Sequence, residues 1–179
     1  MKSGFVCSCC GEYISEVPLA WHADAPLVWD SIPPEKRSEL GELTPDQCII
    51  NDEDFFVKGL VEIPILGSDE VFSWGIWVSL SRSNFERCQG LWEDPARVDE
   101  PSYFGWFCNS LPVYPETLHL KTNVHTREVG VRPFVEIQGS EHPLAIEQQN
   151  GITMGRVQEI ASLLHQPKPK EKKKRFWLF

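Results

Sequence analysis

Two long runs in the middle of the chain alternate with a period of two, the spacing of a strand that buries one face. In the first, Phe55, Val57, Gly59, Val61, Ile63 and Ile65 oppose Phe56, Lys58, Leu60 and Glu62. In the second, from Val71 to Ser81, one face carries Phe72, Trp74, Ile76, Val78 and Leu80. The other carries Ser73, Gly75, Trp77, Ser79 and Ser81. A short apolar run at Cys48-Ile49-Ile50 precedes both. Two more strands are predicted over 118–127 and 131–138, joined through Glu128-Val129-Gly130 as a hairpin with glycine at its tight position.

Helical spacing lies at the margins of this β-rich centre. Over 83–92, Ser83 can cap a helix that turns Phe85, Cys88, Leu91 and Trp92 inward. Over 154–165, Thr153 is the cap, Val157, Ile160, Ala161 and Leu164 form the buried face, and Pro167 ends the helix. A short helix is predicted over 34–40, with Pro34 in its first turn. The stretch 18–34 reads as a loop pinned by Trp21 and Trp29. No internal repeat is visible. The pattern predicts an α+β fold with a mostly antiparallel central sheet, marginal helices and an N-terminal Cys-x-x-Cys knuckle at 5–12. One domain is expected over 1–166 and a flexible basic-aromatic tail over 167–179.

Composition narrows the class. A hydrophobic content of 41%, with seven Trp and ten Phe in 179 residues, is that of a folded chain with a sizeable core. No apolar run approaches the roughly 20 residues of a membrane span, and the N-terminus lacks a secretory h-region, so a cytoplasmic location is expected. There the six cysteines are reduced thiols or metal ligands. The formal net charge of −9 is unevenly spread. Lys168, Lys170, Lys172, Lys173, Lys174 and Arg175 against Glu171 give the tail +5, which leaves −14 on the rest. So acidic a body repels nucleic acid and suits a basic protein partner. The tail ends in Phe176-Trp177-Leu178-Phe179 and could make weak membrane contact.

Chemistry concentrates at Cys7-Ser8-Cys9-Cys10-Gly11. Cys7 and Cys10 have the spacing of a zinc knuckle, and the glycine lets the backbone fold back toward the sulfurs. No second knuckle exists. The remaining ligands of a structural zinc would come from His22, Cys48, Cys88 or Cys108, stapling the N-terminal loop to the sheet, with Cys9 as an extra thiol. A second constellation is the polar face of the 118–127 strand, His119, Lys121, Asn123, His125 and Arg127. Arg132 on the next strand and Trp77 on the serine-rich face extend it into a basic binding patch with an aromatic anchor.

Known catalytic signatures are missing. There is no Gly-x-Ser-x-Gly elbow, phosphate-binding glycine loop or His-Glu-x-x-His. The leading expectation is a non-catalytic interaction domain with a protein partner, in its sharpest form an acidic immunity-type inhibitor steered onto a basic toxin. The alternative is a metal-dependent or hydrolytic enzyme with its site near the knuckle or His142.

Several motifs follow one another in a fixed order: the knuckle, Asp46-Gln47-Cys48-Ile49-Ile50, Val61-Glu62-Ile63-Pro64-Ile65, and Trp74-Gly75-Ile76-Trp77-Val78-Ser79-Leu80. Tyr114-Pro115-Glu116-Thr117-Leu118, Arg132-Pro133 and His142-Pro143-Leu144-Ala145 complete the series. The series resembles the bacterial domain-of-unknown-function family 2199 over about residues 5–165. The resemblance implies a bacterial, single-domain, cytosolic protein and carries no activity, substrate or catalytic residue with it.

Overall fold

The alternating runs become the two longest strands, joined by a reversal at Gly67 and entered through a left-handed turn at Asn51 and Asp52. The computed structural model describes residues 4–139 and 141–165. The tail expected over 167–179 lies outside the described residues. In chain order, β1 (Phe5–Val6), β2 (Tyr13–Ile14) and β3 (Ala20–His22) lead into the short helices α1 (Leu27–Asp30) and α2 (Arg37–Leu40). Then come β4 (Gly41–Leu43), β5 (Gln47–Ile50), β6 (Asp54–Pro64), β7 (Val71–Leu80) and α3 (Arg82–Gly90). The chain continues as β8 (Tyr103–Phe107), β9 (Lys121–His125), β10 (Phe134–Ile137), α4 (Pro143–Asn150) and α5 (Met154–Leu164).

Strands β6 to β10 form a meander that closes on itself, β10 pairing back onto β6 through Phe134 and Leu60. With an odd number of strands, the first and last of an up-and-down meander point the same way, so the closing pair is parallel. The expectation of a mostly antiparallel central sheet is corrected accordingly. The sheet is a closed five-stranded barrel with extra strands, and β3 on β7 is a second parallel pairing. The length of β6 and β7 makes this possible. Their ladder runs from Phe55 opposite Leu80 to Pro64 opposite Val71. On its free edge β6 pairs first with β5 and then with β10; β7 pairs first with β3 and then with β8.

Period two divides the side chains as predicted. Val57, Val61, Ile63, Phe72, Ile76 and Val78 point into the barrel, with Phe107, Val124 and Val135 completing the core. The helices plug it: Phe85 and Cys88 from α3, Leu144 and Ala145 from α4, Val157, Ile160 and Ala161 from α5. Thr153 caps α5 as expected, accepting from the Arg156 amide. For α3 the cap is Ser81 rather than Ser83, accepting from the Asn84 amide, and the helix ends at Gly90. The predicted hairpin forms, with Val131 N–H donating to Glu128 O across Gly130 at φ 84°. Its strands are shorter than predicted, because His119 turns the chain at φ 63° before β9 begins.

Trp77 is the largest departure. Its parity is as predicted, outside the barrel, but it is fully buried rather than an exposed anchor. Residues 23–32 cross the outer face and enclose a second core of Trp29, Ile32, Cys48, Ile50, Phe56 and Trp77. Trp77 Nε1–H donates to Ala23 O at 3.2 Å, and the Trp77 amide to Asn109 Oδ1 at 2.7 Å. Asn109 Nδ2 in turn donates to Ala25 O at 2.9 Å, holding the crossing segment in place. Among the described residues no helix is long and apolar enough to cross a membrane.

Candidate metal centre and outer-face groove

β1 and β2 pair as a small hairpin whose loop is the cysteine segment. Cys7 N–H donates to Glu12 O and Gly11 N–H to Cys7 O, at 2.8 and 2.9 Å. This tight closure sets Gly11 at φ 73°, a left-handed conformation that favours glycine. The loop rests on the end of α5. Ser8 N–H donates to Ser162 Oγ at 3.3 Å, and His165 Nε2 lies 3.2 Å from Glu12 Oε2.

Two overlapping groups of ligand atoms result, Cys7 with Cys9 and Cys10, and Cys10 with Glu12 and His165, each within 4.8 Å of one another. Tetrahedral zinc–thiolate bonds of about 2.3 Å put sulfurs about 3.8 Å apart, so each trio is compact enough for one ion, provided that the Cys7 and Cys9 sulfurs, 2.9 Å apart, separate to admit it. The knuckle is thus Cys-x-Cys-Cys, and Cys9 belongs to the cluster rather than standing apart from it. Cys7 is buried and its sulfur lies 2.9 Å from that of Cys9. The Cys9 hydrogen bond draws the Cys7 thiol down to about 6, while the same contact pushes Cys9 up. The lowered Cys7 thiol eases the deprotonation that metal binding requires.

The ligands expected from elsewhere do not join this group. Cys48 lies in the second core and Cys88 in the barrel core, where burial raises their thiols to about 12 and about 11. His22 sits on β3 and Cys108 just past β8. The hairpin loop meets the end of α5, while Phe5 and Ile14 of its strands pack against the barrel core. Sequence spacing held a signal for Glu12, two residues beyond Cys10, but none for His165, 153 residues further on.

The polar face of β9 forms with the predicted parity, Lys121, Asn123 and His125 outward beside Phe134 and Glu136 of β10. Three of the residues predicted for this patch have carboxylate neighbours. His125 lies 3.0 Å from Glu136, Arg127 is 2.8 Å from Glu62, and Arg132 is 2.6 Å from Asp46. The face is therefore mixed in charge rather than basic. His142 caps α4, its Nδ1 accepting from the Leu144 amide at 3.2 Å, so that nitrogen already has a structural task.

Sequence reasoning missed an apolar groove of about 770 Å³ beside the second core. Its walls are Leu27 and Val28 of α1, Phe56, Trp106, Leu118 and His119, with Asp54 at one side. Leu27 is 44% exposed and Trp106 39%, and Phe104 packs edge-on against Trp106 at 5.1 Å. The signal was Tyr103-Phe104-Gly105-Trp106-Phe107, a strand with aromatics on both faces. Cys108 also lines the groove. Its thiol donates to Trp106 O and is pushed up by burial.

No curated protein and no solved structure matches the chain. One family does, described as an uncharacterized protein conserved in bacteria, over residues 6–152. That span takes in the hairpin loop, every barrel strand and the groove, and the chain belongs to the bacterial domain-of-unknown-function family 2199.

Proposed function

We propose that the chain is a non-catalytic binding domain that seats an apolar side chain of a basic protein partner in the groove beside α1. The observation that carries this is the groove itself. Leu27, Val28 and Trp106 turn large apolar surfaces to water around a concavity, an arrangement selected for contact rather than for solubility. Asp30, Asp54 and the strongly acidic body supply long-range attraction to a cation-rich partner. An immunity-type inhibitor of a basic toxin is the sharpest form of the reading, and His119 is the predicted contact residue that lines the groove. Comparative capture from the native host tests it, using wild type and a folded Trp106→Glu variant. A partner held by wild type and lost by the variant supports the seat; identical capture by both removes it.

The hairpin is proposed to hold structural zinc. A thiolate-rich set selects zinc over the hard divalent cations. Cys10 belongs to both trios, so a modest inward shift of His165 toward Cys7 and Cys9 would complete a closed Cys3His set, with Glu12 hydrogen-bonded to the imidazole as the orienting carboxylate. Four protein ligands leave no open position for substrate, so this centre serves the fold.

A further inference from the structure

Arg97 lies in the 3-10 turn Pro95–Asp99, between α3 and β8, and is 2% exposed. Its Nη1 donates to Trp92 O at 2.7 Å, and its guanidinium stacks over the Trp92 ring at 4.8 Å. Nε and Nη2 are buried and meet no hydrogen-bond acceptor among the described residues. These two nitrogens form the side-on fork of a guanidinium, the edge that matches the two oxygens of a carboxylate.

Three nearby acids are engaged elsewhere. Glu100 is held by Arg87 at 2.6 Å and by the Tyr103 hydroxyl at 2.8 Å, and Asp46 by Arg132 at 2.6 Å. The Asp94 side chain accepts from the Ala96 amide. A guanidinium kept dry with three of its five donors unmatched is costly unless an acceptor completes it.

Arg97 lines a cleft of about 400 Å³. Leu60, Trp92 and Val131 give it apolar walls, and Arg132 and Glu93 bring charge to it. We propose that this cleft binds a small monocarboxylate with an apolar body, its two oxygens seated on the Nε–H and Nη2–H fork of Arg97. The Arg132–Asp46 pair is internally neutral and Glu93 opposes excess negative charge, so one carboxylate is accommodated better than a phosphate dianion. The fork is closed to bulk water. Seating the carboxylate therefore requires the turn carrying Val129 and Val131, both of which are exposed, to move outward. The site is separate from the groove and from the hairpin, and stands or falls without them.

The test is an NMR titration of the Arg97 side-chain Nε–H signal with sodium benzoate, at ionic strength held constant with chloride. Acetate and inorganic phosphate serve as comparators. A saturable shift is expected with benzoate, weaker with acetate and absent with chloride. Val131→Asp sets a carboxylate at the exposed turn without touching Arg97 and should weaken benzoate at least tenfold. A silent Nε–H signal, meaning that a buried water completes the fork, overturns the proposal. So does tighter binding of phosphate than of benzoate, or unchanged affinity in Val131→Asp.

Discussion

Replacing Trp77 by alanine tests the architecture most directly, because parity alone and the folded structure give opposite answers. On parity, Trp77 stands among serines and its loss should cost no more than about 0.5 kcal/mol, as for most surface changes. In the fold the ring is fully buried beneath residues 23–32, its Nε1–H bonds Ala23 O, and Lys58 Nζ lies 5.6 Å from its centroid. Truncating such a side chain costs about 3–5 kcal/mol in lost transfer energy and residual cavity. For a chain of this size, each kcal/mol lowers Tm by about 2–4 °C, giving a fall of about 6–20 °C. Urea unfolding followed by far-UV circular dichroism measures the cost, with Trp77→Phe as a control that keeps most of the volume. Amide exchange should quicken at Leu27, whose N–H donates to Cys108 O within the crossing segment. A loss under about 1 kcal/mol with an unchanged m-value would show that nothing packs over the outer face of β7.

Purified without chelator, the chain should carry one zinc by elemental analysis; Cys7→Ser or Cys10→Ser should abolish it and lower Tm, whereas Cys48→Ala should leave metal content unchanged. A chain without metal whose Tm ignores chelator would remove the zinc assignment. Arg87, followed by the Tyr103 hydroxyl, holds the Glu100 carboxyl down at about 2, below its unfolded value of about 4.3. This contribution is present above about pH 4.3 and lost as pH falls toward 2, so Glu100→Gln should be less stable at neutral pH and flatten the acid limb. An acid limb identical to wild type refutes it. Gly105 faces the barrel interior, where an added Cβ would lie 2.5 Å from Ser79 O and press on Val78 Cγ1. Gly105→Ala should therefore cost about 1–3 kcal/mol by urea unfolding, and a neutral result would mean that β8 sits further from β7 than described.

What the sequence disclosed depends on how local the cause was. β6 and β7 were legible because each has one face in the barrel core and follows period two for ten residues or more. The closure was not, since it joins β10 to β6 across more than seventy positions by the Phe134–Leu60 pairing, and no periodicity encodes a partner. β8 was hidden for a different reason. Its outward residues Phe104 and Trp106 are as apolar as its inward ones, so the alternation is erased where the groove needs aromatic walls. The helix α4 was not predicted because its apolar stripe is weak, although Pro143 in its first turn and Gly151 at φ 77° just past its end bracket it. At Trp77, period two gave the correct face and left open what covers it.

The candidate centre shows the same division and explains what the metal would contribute. The spacing of Cys7 and Cys10 and the left-handed Gly11 are properties of one turn, hence readable. His165 reaches that turn only because Val157, Ile160 and Ala161 lock α5 onto the barrel, which fixes where the helix ends. The imidazole is therefore positioned by core packing, while the thiols are positioned by a hairpin of two-residue strands that is too short to be stable alone. Zinc binding would draw on order already present in α5 and pass it to the hairpin. Its stabilising effect should accordingly fall on residues 5–14 and the last turn of α5, with the barrel strands keeping their protection when the metal is removed.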